Sequence, residues 1–223
     1  EGGGIVDGAM ELSGGRIAGV GRYEGRETID EAGQYAAPGF IDSHIHIESS
    51  YVTPEEIGRL LVPHGGTTIV ADPHEIVNVC GKDGLEYMLA AAEGTVLDIK
   101  YMLPSCVPAT PFEHSCATID AAYMAEPIND PRIIGLGEFM DYPGVISAQD
   151  GVLDKLLVGQ KSGKLIDGHS PSVTGKDLNA YAAARIHTDH ECATVEAMQE
   201  RISCGMYVPV PYTHLRAHET LPS

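Results

Sequence analysis

Hydrophobic positions along the chain fall into two textures. Up to residue 36 they are sparse and alternate over short spans, as in "RIAGVG" and "ETIDEAGQY", with breaks at Gly14-Gly15 and Glu24-Gly25. Period-two alternation punctuated by glycine predicts β-hairpins, so residues 1–36 read as part of a small β domain. From Ala37 onward the apolar residues gather into compact runs at 38–47, 67–73, 97–107, 132–139, 164–169 and 184–190. Each has the length of a buried strand. Between them lie stretches of helical period at 53–63, 81–94, 117–125, 148–160, 174–184 and 193–204.

Strand and helix alternating every ~25–35 residues is the sequence form of right-handed βαβ crossovers, hence of a parallel sheet or a barrel. Six such units are visible, and "GMYVPV" opens a seventh strand. A closed (β/α)₈ barrel takes eight units over ~250 residues. The expected architecture is therefore α/β: an incomplete TIM-type (β/α) barrel over residues 37–208, with two strand edges uncovered. Residues 209–223 carry neither period and read as an atypical tail.

Composition narrows the setting. No apolar run approaches the ~20 residues that span a bilayer, and no basic, apolar leader opens the chain, so a cytoplasmic location is expected. Fourteen Lys and Arg against 32 Asp and Glu give a formal charge of −18, a field that repels nucleic acid and anionic membrane alike. Five scattered cysteines without a C-x-x-C predict reduced thiols, mostly buried, and neither a disulfide framework nor a thiolate zinc site.

Candidate chemistry enters with "PGFIDSHIHIESS". Side chains two apart on a strand share a face, so His44 and His46 point one way while Ile45 and Ile47 pack the other. At the C-terminal end of a barrel strand that face looks into the mouth where active sites are built. An isolated H-x-H is compatible with plain packing, but Glu138, His169 and His190 occupy the ends of three later strands. Imidazoles and a carboxylate from four strand ends make a metal centre the economical reading, and a buried carboxylate needs such partners. In "ADPHEIVN", Asp72, His74, Glu75 and Asn78 could line the same pocket, or Asp72-Pro73 could simply start a helix. Glu48 lies directly past the histidine pair, with Ser49 and Ser50 suited to capping a helix near Thr53. Cys106 either touches substrate or fills the core. Asp141, Tyr142 and Gly144 form either a substrate loop or a plain turn. His64, His114 and His187 show no convergence, and His214 and His218 belong to the tail.

Together "PGFIDSHIHIESS", "TTIVADPHEIVNVCG", "SCVPAT", "GLGEFMDYPGVI", "DGHSP" and "LNAYAAARIHTDHE" resemble the adenine deaminases of the amidohydrolase superfamily, over roughly residues 16–208. The resemblance implies a small β-sandwich domain before the barrel. It also implies a binuclear divalent centre of manganese or iron, with zinc a further candidate. His44 and His46 would hold one ion, Glu138 would bridge, and His169 and His190 would hold the second. The implied reaction is hydrolysis of adenine to hypoxanthine and ammonia, with Glu138, His74 and Glu75 in catalytic positions and Glu48, Cys106 and Asp141 toward the substrate. Glu at the bridge, where many superfamily members carry a carboxylated lysine, favours the deaminase branch over deacetylases and cyclic-amide hydrolases. The family also draws an aspartate from an eighth strand, for which this chain has no counterpart. The expectation is thus a homo-oligomeric parent enzyme and a truncated chain that is impaired, or a non-catalytic metal-binding remnant.

Overall fold

The structure is a computed structural model that describes residues 8–31, 33–110 and 112–209. The expected tail beyond residue 209, with His214 and His218, lies outside the described residues. The chain divides into two compact units, Glu1–Pro38 and Gly39–Ser223.

The first unit holds one hairpin. Strands β1 (Ala9–Ser13) and β2 (Arg16–Gly21) pair antiparallel, Ala9 opposite Gly21 and Ser13 opposite Arg16. The turn between them places Gly14 and Gly15 at φ 58° and 74°, the double left-handed conformation that a two-residue hairpin favours and glycine adopts without strain. The second expected hairpin does not form: among the described residues no strand lies between Gly21 and Phe40. Its "ETIDEAGQY" run alternates too weakly, with charged residues and glycine interrupting the apolar face.

The second unit is built on five parallel strands, β3 (Phe40–Ile45), β4 (Gly66–Ala71), β5 (Asp98–Leu103), β6 (Ile133–Phe139) and β7 (Leu165–Gly168). Their order in the sheet is their order in the chain. A doubly wound sheet would reverse order partway; a strictly sequential parallel sheet is the wall of a barrel. Buried Ile69, Ala71, Tyr101, Leu103, Ile133, Leu136, Phe139 and Ile166 fill it, the near-continuous apolar run of strands covered on both faces.

Among the described residues α1 (Pro54–Leu61), α2 (His74–Ala91), α3 (Ala121–Met124), α4 (Tyr142–Ile146) and α5 (Asp150–Ser162) lie between the strands, and α6 (Gly175–Ala183) and α7 (Val195–Ser203) follow β7. Thr53 caps α1 by accepting from Glu56 N–H, with Pro54 in the first turn. Helix α2 begins at His74, ahead of the expected 81–94. Gly81, at φ 59° and ψ −137°, kinks the helix and does not start it. Helix α4 stands where a turn was the rival reading.

Beyond β7 the sheet thins. His187 N–H donates to Ile166 O, Tyr207 N–H to His187 O and Asp189 N–H to Tyr207 O, and Thr188 pairs with Tyr207 as one parallel bridge. The expected sixth and seventh strands are therefore single-bridge contacts among the described residues. Side chains do part of the ladder's work there: His187 Nδ1 accepts from Ile166 N–H. The cysteines also depart from expectation. Cys106 and Cys192 are buried and Cys204 partly so, while Cys80 and Cys116 are exposed. None is disulfide-bonded, and no described helix is long and apolar enough to cross a membrane.

Candidate metal centre

All five predicted histidine and carboxylate donors meet at one end of the parallel sheet, four of them at or just past strand C-termini and His190 on a segment that forms no strand. His44 is on the last turnings of β3, His46 just past it, Glu138 near the end of β6, His169 directly after β7, and His190 after the bridge at Thr188. Of the two flanking isoleucines, Ile45 on β3 is partly buried, and Ile47, past the strand with a helical backbone, is fully buried.

The tautomers of the first pair are set by their outer partners. His46 Nδ1 lies 2.8 Å from the Asp72 carbonyl oxygen, and His44 Nδ1 lies 3.2 Å from Asp167 Oδ2. Each of those acceptors requires an N–H, so each ring turns an Nε2 lone pair inward. The two Nε2 atoms are 3.1 Å apart. Lone pairs facing at that distance repel unless a cation or proton lies between them.

Glu138 joins this pair to a second. Its Oε1 is 3.4 Å from His46 Nε2, and its Oε2 is 2.7 Å from His169 Nδ1 and 3.1 Å from His190 Nε2. His169 Nδ1 and His190 Nε2 are 3.4 Å apart. Nitrogens bound ~2.1 Å from one ion are separated by about 3.0 Å at right angles and about 3.4 Å at the tetrahedral angle, so both pairs have the spacing of ligands to a shared cation. Candidate donor groups among the described residues comprise His44, His46 and Glu138; Glu138, His169 and His190; His44, Asp167 and His190; and Asp72, His74 and Glu138. The donors are nitrogen and oxygen throughout, a set that suits Mn, Fe or Zn. The residues present fit a two-ion centre bridged by Glu138.

Electrostatics agree with that fit. Burial opposes ionisation of Glu138, but hydrogen bonds from His169 and His190 and the charge on His74 hold it well below the usual carboxylate range. Asp167 is likewise buried, yet His190 and His44 keep it ionised. The histidines answer in kind. Burial would lower His190, but Asp167 and Glu138 raise it to about 10. Burial would lower His74 too, but Asp72, Glu138 and Glu75 raise it to about 9. In the metal-free chain protons carry the positive charge that the buried carboxylates demand.

A shell of further contacts fixes the bridge. Buried Asp72 accepts from Glu138 N–H through Oδ2 at 2.8 Å, so it does not cap α2. The close approach requires Gly137, where a Cβ would lie 2.3 Å from that oxygen. Ser105 Oγ donates to Glu138 O at 2.8 Å. His74 Nδ1 stands 3.1 Å from Glu138 Oε1 and 3.7 Å from Asp72 Oδ1.

The remaining predicted positions lie apart from the donors. Glu75 is exposed and accepts from Ser49 Oγ at 2.8 Å; Ser49 and Ser50 therefore do not cap α1. Glu48 Oε1 accepts from Ile76 N–H at 3.2 Å, and burial raises its carboxyl. Cys106 is in the core, its thiol pushed up by burial. Asp141 caps α4, accepting from Gly144 N–H at 2.9 Å. His187 is a ladder partner, as above. Sequence reasoning passed over Asp167, although it sits two residues before His169. The shared-face rule applied to His44 and His46 would have found it. It also passed over Asp189 and Arg201, a fully buried ion pair that no local pattern announces.

Fold and site together give a (β/α) barrel wall with a candidate metal site of nitrogen and oxygen donors, in which Glu138 faces two histidine pairs. The Amidohydrolase family matches residues 35–218, and the chain belongs to that metal-dependent family. Among similar proteins, "Adenine deaminase 2" of Desulfotalea psychrophila is 66% identical over 204 residues, 92% of this chain and 35% of that protein. "Adenine deaminase" of Nitratidesulfovibrio vulgaris (strain DP4) is 53% identical over 204 residues, 92% of this chain and 36% of that protein. "Adenine deaminase" of Clostridium acetobutylicum is 50% identical over 206 residues, again 92% and 36%. The chain spans about a third of the length of these relatives.

Proposed function

We propose that the chain is part of a longer, metal-dependent adenine deaminase that hydrolyses adenine to hypoxanthine and ammonia. The observation carrying this reading is Glu138, whose two oxygens face separate histidine pairs. Relatives 50–66% identical to the chain are named adenine deaminases, which supports the choice of substrate. Glu138, His44, His46, His169 and His190 are proposed to hold two divalent ions, manganese or iron. Bound there, such ions would supply Lewis acidity and lower the pKa of water toward ~7.

The chain's own residues then have separate tasks. Glu138 balances the charge and spaces the two pairs. His74 is proposed to hold a proton at Nδ1 beside Glu138 Oε1 for the leaving amine. Glu75 is proposed as a further catalytic group and Glu48 as substrate-side; Glu48 and Ser49 lace the segment after β3 to the start of α2 through Ile76 and Glu75. Cys106 and Asp141 contribute packing and a cap to the loops after β5 and β6. We place the parent in the cytoplasm as a homo-oligomer serving purine catabolism or salvage. Unbridged thiols support a reducing compartment, and sedimentation would test the assembly.

The test is ammonia release by the full-length parent, loaded with manganese or iron, from adenine, N-acetyl sugars and dihydropyrimidines side by side. Release from adenine alone is expected. Turnover of an acetyl sugar or cyclic amide without adenine would replace this reading with another hydrolase of the superfamily.

A further inference from the structure

The two halves of the centre are not held in the same way. His44 in β3 and His46 just past it are two residues apart in one segment, which the Ile45–Ala71 pairing between them anchors to β4. His169 and His190 come from separate segments joined by His187 N–H to Ile166 O and by Thr188 and His190 to Asp167, and among the described residues the second forms no strand beyond the Thr188–Tyr207 bridge. Yet their nitrogens approach as closely as a ligand pair should.

Asp189, directly before His190, and Ser170, directly after His169, supply what the sheet lacks. Asp189 is fully buried; its Oδ2 accepts from Arg201 Nε at 2.8 Å and from the Ser170 hydroxyl. Its Oδ1 accepts from Ser170 N–H at 3.3 Å and from Glu191 N–H at 3.0 Å. Arg201, buried on α7, donates through Nη2 to Ser170 O at 2.7 Å and contacts its hydroxyl at 3.4 Å. Ser170 is thus gripped at its N–H, its carbonyl and its hydroxyl. A planar guanidinium with several fixed donors can hold that arrangement; an ammonium cannot.

Resting on the metal centre proposed above, we infer that the Asp189–Arg201 ion pair is a positioning clamp that sets the His169–His190 spacing, and so governs occupancy of the second metal position selectively. Their hydrogen bonds reach Ser170 and Glu191, the neighbours of the donors. Their effect passes through the backbone of the neighbouring positions, as outer partners of metal ligands do, where loss typically costs 10–100-fold in affinity.

The test is Co(II) titration of the full-length parent, followed by its visible d–d bands. Arg201→Met is compared with Asp189→Asn/Arg201→Met, which removes both charges and leaves none buried alone. His46→Ala supplies the spectrum of the second position by itself. Wild type is expected to take two equivalents. Each clamp variant is expected to keep wild-type affinity at the His44–His46 position and to bind the second equivalent about 10–100-fold more weakly. The double variant serves if the single one does not unfold cooperatively. Equal weakening of both positions, or wild-type affinity at both, overturns the clamp. Fewer than two equivalents in wild type overturns the two-ion centre itself.

Discussion

Gly137→Ala probes the bridge without touching a donor. A Cβ at this position would lie 2.3 Å from Asp72 Oδ2 and 2.8 Å from its Cγ, against 3.4 Å for the near limit of ordinary contact. The carboxylate must then retreat by roughly 1 Å. Its 2.8 Å bond from Glu138 N–H stretches beyond hydrogen-bonding range. Leaving that buried donor unsatisfied costs ~1–3 kcal/mol, and crowding a packed site adds ~1–3 kcal/mol. A net loss of about 3 kcal/mol would lower the melting temperature by roughly 6–12 °C for a domain of this size. Because Glu138 shifts with its own N–H, weaker metal uptake should accompany the loss. The assay is thermal unfolding and Co(II) titration of Gly137→Ala, Asp72→Ala and the double variant. Asp72→Ala removes the clashing atoms, so the glycine substitution should cost at least ~1 kcal/mol less in that background. Strictly additive losses, or a Gly137→Ala variant with unchanged melting and metal affinity, would refute the argument.

Further outcomes follow from the same contacts. Glu138→Gln removes the shared charge, and metal content measured after dialysis should fall from two ions to one or none; retention of both would mean that Glu138 is not a bridge. Asp167→Asn leaves the fold intact but loosens the orientation of His44 and His190, so calorimetric metal affinity should drop about 10–100-fold. His190 and His74, raised to about 10 and about 9 in the metal-free chain, sit above their unfolded value of ~6.5. Their contribution to stability is therefore complete below pH ~6.5 and lost as pH rises through about 9 to 10. Since His190 must lose its proton to bind a cation, apparent metal affinity should climb from pH 7 toward pH 10, with measurable proton release into weak buffer. Uptake without proton release would contradict the assigned charge state.

The alternation of strand and helix was legible in the chain because each signal is local. A period-two or 3.6-residue pattern reports which face of an element is apolar, and buried parallel strands need runs such as "TTIVA" and "IIGLG". The same locality limited the reading where elements were irregular. Gly81 looked like a helix start and is a kink, since a residue type permits a left-handed backbone without saying what continues on either side. The stretch 184–190 looked like a strand and makes only one bridge, because His187 takes a ladder bond with its ring. Exposed Cys80 and Cys116 follow from where the helix and loop surfaces fall, which composition does not encode.

By itself the sequence determined that His44 and His46 share a face and that Glu138 and His169 stand at strand ends, since two-residue spacing is covalent and a local apolar run marks where a strand stops. Only the tertiary structure decided that Glu138 lies between the two pairs and that Asp167 backs both His44 and His190. It alone brought Asp72 against Gly137 across 65 residues and joined Arg201 to Asp189. Those meetings depend on strand register and on how each helix packs back onto the sheet. They arise from summed burial over many residues, and no short pattern around any one of them contains that information.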